Sequence, residues 1–244
     1  MILKVLDSVI SPEGDGVKVR RLFPIATRMN FDPFVLWDHF DVGAGHGFPD
    51  HPHRGFEAIT YMLSGGMNHK DSLGNNSFVT SGGAQVFCAG KGIVHSEMPA
   101  ESGSSTGIQL WINLPKQLKK IDASYQQILS ENLPVTVFEG GKCRTLVGEG
   151  SPIELHTDVT YQHVSLAKNH NYQIYINQGL NAIIYVISGE IVLGDEAVGA
   201  TKALLLECKE EQNLSIRADK DSEFMFCCGV PQHQPIYQHG SYVD

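Results

Sequence analysis

Short runs of β-branched and aromatic residues, each closed by turn-forming residues, recur along this 244-residue chain. Two of them, Ala58-Ile59-Thr60-Tyr61-Met62-Leu63-Ser64-Gly65 and Ala182-Ile183-Ile184-Tyr185-Val186-Ile187-Ser188-Gly189, share five of eight residues at an offset of 182 − 58 = 124. An offset close to half the chain points to a duplicated domain, and each run reads as a strand entering a tight turn. Residues 67–74 and 191–195 resemble the strands that return from those turns. Further short strands are predicted at residues 85–89, 107–114, 203–207, 213–217 and 223–228, a density that suits a sandwich or barrel. The pattern changes over residues 115–134. There Leu118, Ile121, Tyr125, Ile128 and Leu129 recur at helical steps between Pro115 and Pro134, which predicts a helical connection. The expected organisation is therefore an N-terminal domain over residues 1–115, a helical connection over residues 116–134 and a C-terminal domain over residues 135–244. Lys116, Lys119 and Lys120 would form the solvated face of that helix.

Composition narrows the class. The 25 Gly and 11 Pro favour tight turns and short strands, and a hydrophobic content of 42% excludes a disordered chain. With 18 Lys+Arg against 27 Asp+Glu the net charge is 18 − 27 = −9, so no direct nucleic-acid binding is expected. No apolar run is long enough for a membrane helix, and Asp7 interrupts the first residues too early for a secretory leader. The five cysteines are scattered without a Cys-x-x-Cys pair, as expected of free thiols in a reducing compartment. A cytoplasmic, monomeric protein with no membrane partner is the expectation.

Carrying the 124-residue offset upstream separates the two domains chemically. His51 falls on Tyr175, His53 on Asn177 and Glu57 on Asn181, while Gly55 falls on Gly179. One domain is thus equipped for chemistry and the other lacks the candidate metal ligands. In extended chain, residues two apart face the same way, so His51 and His53 can aim two imidazoles at one point. Pro52 has no N–H to donate and places them at a sheet edge or a strand start. His95 and Glu97 form a second pair of the same spacing. Together they supply three nitrogens and one carboxylate, a donor set suited to Fe(II), Ni(II), Cu(II), Mn(II) or Zn(II) with two positions left open. Gln109 and Phe48 are candidate pocket residues, and His46 and Asp50 flank the site. His69, His156, His163, His170, His233 and His239 have no partner at ligand spacing and read as surface or satisfied residues. Cys227 and Cys228 point to opposite faces of a strand, and Cys88 precedes the second pair.

The stretches Asp32-Pro33-Phe34-Val35-Leu36-Trp37-Asp38-His39-Phe40, Phe48-Pro49-Asp50-His51-Pro52-His53-Arg54-Gly55-Phe56-Glu57, His95-Ser96-Glu97-Met98-Pro99 and Gly107-Ile108-Gln109-Leu110-Trp111-Ile112-Asn113-Leu114 resemble the pirin family of the cupin superfamily. The closing Pro235-Ile236-Tyr237-Gln238-His239-Gly240 is similar as well, so the resemblance runs from about residue 18 to the C-terminus. It implies an all-β bicupin, two jelly-roll type β-barrels face to face, with one iron-type ion in the N-terminal barrel and none in the other. It carries the metal ligands onto His51, His53, His95 and Glu97. The wider cupin pattern would place the carboxylate at Glu57. The pirin pattern selects Glu97 and leaves Glu57 a supporting role. The implied activity is that of quercetin 2,3-dioxygenase, with a flavonol-like substrate, dioxygen, Fe(II) as the cofactor and Glu97 as both ligand and catalytic base. The competing expectation is a metal-dependent redox sensor that binds a protein partner.

Overall fold

The computed structural model describes residues 1–100 and 103–244, among which are twenty-four strands, two 3-10 turns and no α-helix. Strand β1 (Ile2–Asp7) opens the chain. There follow β2 (Val9–Glu13), β3 (Val17–Phe23), β4 (Phe34–Gly43), β5 (Phe48–His53), β6 (Phe56–Ser64), β7 (Gly66–Asp71), β8 (Asn76–Thr80), β9 (Ala84–Cys88), β10 (Ile93–Pro99), β11 (Ser104–Asn113) and β12 (Ser124–Ile128). The second half contributes β13 (Val135–Phe138), β14 (Gly141–Val147), β15 (Val159–Leu166), β16 (Asn171–Ile176), β17 (Asn181–Ser188), β18 (Glu190–Leu193), β19 (Glu196–Gly199), β20 (Lys202–Glu207), β21 (Gln212–Ala218) and β22 (Ser222–Gly229), and a last hairpin pairs β23 (Gln238–His239) with β24 (Tyr242–Val243).

The chain forms two compact units. The N-terminal unit comprises Val9–Asn132, Ile153–Thr157 and Gln232–Asp244, and the C-terminal unit comprises Met1–Ser8, Leu133–Pro152 and Asp158–Pro231. Each is a cupin-like pair of antiparallel sheets, one of seven strands and one of four. In the N-terminal unit the orders are β12-β9-β6-β11-β4-β3-β2 and β5-β10-β7-β8; in the C-terminal unit they are β1-β20-β17-β22-β15-β14-β13 and β16-β21-β18-β19. The duplication is thus reproduced strand for strand, with β6 and β17, which carry the repeated octet, in the same place. Central strands read as near-continuous apolar runs because both faces are covered: seven successive residues of β6, Phe56 to Met62, are buried. Strand β10 alternates buried and open positions, so Ile93, His95, Glu97 and Pro99 share the interior face.

The expected boundaries need two corrections. Residues 1–8 do not belong to the first domain, because β1 pairs in full register with β20, from Ile2 opposite Glu207 to Asp7 opposite Lys202. Residues 232–244 likewise join the N-terminal unit: the Asp32 carboxylate accepts from the Gln232 and His233 amides, and Arg54 makes a paired contact with Asp244 at 2.9 and 2.7 Å. Such pairings are distant in sequence and leave no trace in local periodicity.

The helical connection is also corrected. Residues 115–134 form a 3-10 turn at Lys116–Leu118, strand β12, and a second 3-10 turn at Ser130–Asn132. An isolated helix of that length is marginal in water, whereas the edge of β9 offers a ladder that pairs Ser124 through Ile128 with Cys88 through Ala84. Lys119 is half-buried rather than on a solvated face. Its ammonium donates to Gly55 O, Asn113 Oδ1 and Val243 O at 2.9, 2.7 and 2.8 Å, and burial pulls it down to about 8. Gly55 beside it has φ +84°, and a Cβ there would sit 1.8 Å from Val243 O; the left-handed turn and the close strand both require glycine. The five cysteines are buried and free. No helix among the described residues is long and apolar enough to cross a membrane.

Candidate metal centre

The two His-containing motifs lie on adjacent strands. β5 is the edge strand of its sheet and pairs with β10, with His51 opposite His95 and Ile93 opposite His53. An irregularity between His95 and Glu97 absorbs one residue before Glu97 pairs with Phe48. One ligand-type atom from each of His51, His53 and His95 lies within 4.8 Å of the others. The Nε2 atoms of His51 and His95 are 3.1 Å apart.

Hydrogen bonds on the far side of each ring fix which nitrogen faces inward. His51 Nδ1–H donates to Pro49 O at 2.7 Å, and His53 Nδ1–H donates to Ser241 O at 3.2 Å. His95 Nδ1 faces His69 Nδ1 at 3.5 Å. All three Nε2 lone pairs are then available. Burial, reinforced by the neighbouring His51, pushes His53 down to about 3, and burial among His53, His51 and His69 holds His95 well below the usual imidazole range. These rings stay neutral, as ligation demands. Two nitrogens about 2.1 Å from one ion at right angles stand about 3.0 Å apart, so the observed spacing fits a transition-metal ion. His53 is further held by edge contact with Trp111 at 4.9 Å and stacking on Phe87 at 5.6 Å between centroids.

Glu97 is buried in the same region, and both its oxygens are engaged. Thr60 Oγ1–H donates to Oε1 and Gln109 Nε2–H to Oε2, each at 2.8 Å, while Gln109 Oε1 accepts from Trp111 Nε1–H at 3.1 Å. A cavity of about 200 Å³ opens over His51, His53 and Glu97, with Leu36, Phe48 and Trp111 among its walls. Arg21 also lines it, tied to Asp38 at 2.8 and 2.6 Å and to Glu13 at 2.5 Å. Burial pushes Asp38 up to about 6 against the pull of that guanidinium. A larger groove of about 550 Å³ in the C-terminal unit, bordered by Val137, Lys142 and Glu223, holds none of these groups.

Gln109 and Phe48 therefore both reach the cavity, Gln109 as a partner of Glu97. His46 and Asp50 are exposed. Glu57 serves another purpose: it accepts from His156 N and Thr157 N at 2.8 and 3.1 Å and from His156 Nδ1–H at 3.0 Å, clasping residues 153–157. Cys88 beside it is pushed up to about 11 by burial and the Glu57 charge, which leaves the thiol inert. The residue that sequence reasoning missed is His69. It is fully buried, donates from Nε2 to Asp71 Oδ2 at 2.9 Å, stacks on Tyr125 at 4.1 Å and touches His95. The available signal was strand alternation: His69 and Asp71 are two apart on β7, opposite Glu97 and His95 on β10.

Comparison with known proteins places the chain in a family. The pirin family model matches residues 16–112, and the model of the pirin C-terminal cupin domain matches residues 161–244. A pirin-like protein of Solanum lycopersicum is 36% identical over 250 residues, covering 100% of this chain and 86% of that protein. The chain belongs to the pirin family. Among solved structures, a quercetin 2,3-dioxygenase from Acinetobacter baumannii matches with a TM-score of 0.91 at 26% identity, covering 98% of this chain and 90% of that one. A bacterial pirin from Escherichia coli in complex with nickel(II) matches with a TM-score of 0.79 at 25% identity, covering 94% and 99%. Pirins of this kind share the two-domain cupin-like architecture.

Proposed function

We propose that this pirin is a metal-dependent dioxygenase that opens the central ring of flavonols such as quercetin, with one Fe(II)-type ion held by His51, His53, His95 and Glu97. The observation that carries the reading is the convergence of three imidazole nitrogens, those of His51, His53 and His95, with the buried Glu97 carboxylate lining the same cavity as His51 and His53. Resemblance to a quercetin 2,3-dioxygenase structure supports it. A bound ion would supply Lewis acidity toward the flavonol 3-hydroxyl and a path for electrons to dioxygen.

The chain's own residues account for the rest. Leu36, Phe48 and Trp111 give a planar ring system apolar walls. Glu97 accepts the 3-hydroxyl proton and returns it to the product. Thr60 and Gln109 keep the carboxylate aimed, and Trp111 keeps Gln109 aimed in turn. Ser241 and the aromatic rings around His53 limit water at the site. In the overall reaction both atoms of dioxygen enter the ring-opened ester and carbon monoxide leaves. The test is metal analysis of protein purified without a His-tag, followed by parallel measurement of quercetin loss, oxygen uptake and carbon monoxide. The expected result is equal molar amounts of all three. Metal-replete protein that leaves quercetin and oxygen unconsumed overturns the reading.

A further inference from the structure

Behind His95, on the side away from the cavity, β7 holds two buried groups that the proposed chemistry does not touch. His69 is 0% exposed, and the side chains of both His69 and Asp71 are sealed from solvent. Asp71 Oδ2 accepts from His69 Nε2–H at 2.9 Å, and His69 Nδ1 lies 3.5 Å from His95 Nδ1. The Oδ1 atom of Asp71 is committed elsewhere, accepting from the Leu73 and Asn75 amides at 2.9 and 3.0 Å. Tyr125 stacks on the His69 ring at an interplanar angle of 13° and is itself anchored to Ser77.

These contacts leave one self-consistent set of proton positions. A carboxylate only accepts, so His69 carries its proton on Nε2 and presents a lone pair at Nδ1. That lone pair accepts a hydrogen bond from His95 Nδ1–H, which leaves His95 Nε2 bare and directed at His51 Nε2. We infer that Asp71 and His69 are positioning residues that select the metal-binding tautomer of His95 through a two-step hydrogen-bond chain. The inference rests on the proposed metal centre and adds to it a control acting from beyond the ligands. Partners at this remove typically change metal affinity by about 10- to 100-fold.

The chain can be reversed without touching a ligand. In Asp71→Asn, the two backbone amides still require an oxygen at the Oδ1 position, so the new NH₂ faces His69 Nε2, and the Asn75 side chain, whose Nδ2 donates to Oδ1 and Oδ2 at 3.1 and 2.8 Å in the wild type, turns its own oxygen toward that NH₂. His69 must then carry its proton on Nδ1, and His95 must become the acceptor at Nδ1 with its own proton on Nε2, where it blocks an ion. Long-range ¹H–¹⁵N spectra of the metal-free protein read the tautomer directly, and competition with a chromophoric chelator reads affinity for nickel(II). The wild type should show His95 protonated on Nδ1; Asp71→Asn should move that proton to Nε2 and weaken nickel(II) by about 10- to 100-fold.

Two further variants separate the chain from simple loop damage. His69→Asn places an amide oxygen near the Nδ1 position but cannot reach Asp71, so it should retain most of the affinity, and adding Asp71→Asn to it should cost nothing more. His69→Leu, with no acceptor, should lose affinity as Asp71→Asn does. An Asp71→Asn protein with wild-type nickel(II) affinity and His95 still protonated on Nδ1 overturns the inference, as does an equal loss from Asp71→Asn in the His69→Asn background. If the wild type binds no nickel(II), the metal centre itself fails, and the tautomer spectra still decide the chain on their own.

Discussion

The two halves of this pirin keep the same backbone and fill it differently. Register pairing matches them position by position. Gly65 and Gly189 have positive φ at the same turn, and Ser105 and Ser222 each bridge the strand that follows, at Gly66 and Glu190. Inside the sheets the correspondence ends. Thr60, His69, Gln85, Glu97 and Gln109 of the N-terminal unit fall on Ile184, Leu193, Leu204, Ile216 and Phe226 of the C-terminal unit. All five of the latter are buried members of one apolar cluster. His51, His53 and His95 fall on Tyr175, Asn177 and Asn213. The fold therefore does not need a polar interior. The N-terminal unit carries one at the expense of apolar burial, and its polar groups remain stable there because each finds a partner: Glu97 with Thr60 and Gln109, Gln85 with Met67 O, His69 with Asp71.

The largest expected effect removes what only one half has. Replacing both His51 and His53 by Ala should reduce bound metal from about one equivalent per chain to none by elemental analysis, while the C-terminal unit contributes nothing in either protein. Metal that survives the double replacement, or a second tight equivalent in the wild type, would end the asymmetry. The reciprocal exchange tests the apolar half. Ile216→Glu buries a carboxylate with no counterpart of Thr60 or Gln109 to receive it, since those positions are Ile184 and Phe226. Such an uncompensated charge costs about 3–5 kcal/mol, seen as a lowered urea midpoint with metal content unchanged. A neutral outcome would mean that the C-terminal interior tolerates charge and that its packing is not what distinguishes it.

A smaller effect separates two uses of Glu97. Glu97→Gln keeps an oxygen that can coordinate and removes the proton acceptor. If Glu97 is the base, flavonol turnover per bound metal should fall about 10²-fold while metal is retained. Turnover near wild type once metal is supplied in excess would leave Glu97 a ligand alone.

The duplication, the His-x-His and His-x-Glu pairs and the all-β class were legible because they are written in local spacing or in a repeated octet. What stayed hidden depends on partners far along the chain. The apolar steps from Leu118 to Leu129 suggested a helix, yet the free edge of β9 drew residues 124–128 into a strand and set Tyr125 against His69. Lys119 looked like a solvated charge because its three acceptors come from residues 55, 113 and 243. His69 had no histidine or carboxylate at the spacing of His51 and His53 except Asp71, and only the pairing of β7 with β10 places it behind His95. The Ser241 carbonyl that fixes His53 is 188 residues away.

Two histidine pairs survive the duplication, His46 with His170 near the surface and His39 with His163 on the strands, and the second pair gives the finest test. His39 and His163 occupy the same place on β4 and β15, opposite Ile108 and Met225. Burial pushes both down to about 4; Arg20 adds to this at His39 against the pull of Asp41, and Arg144 and Lys142 add to it at His163. A histidine whose folded pKa lies below its unfolded value of about 6.5 leaves stability intact above that pH. As pH falls from about 6.5 toward 4 the unfolded chain takes up the proton and the folded chain does not, so stability is lost across that window and the loss levels off below it. At pH 5 each group should cost about 2 kcal/mol relative to pH 7.5. Urea unfolding at the two pH values should show His39→Gln and His163→Gln each removing a similar share of the acid sensitivity, with nickel(II) affinity at pH 7.5 unchanged in both. That result makes this retained histidine pair a property of the shared scaffold, in contrast to the imidazoles found in one half alone. If His39→Gln instead weakens nickel(II) while His163→Gln merely shifts the acid limb, then β4 belongs to the metal centre, and the line between scaffold and chemistry runs through the repeat rather than between its copies.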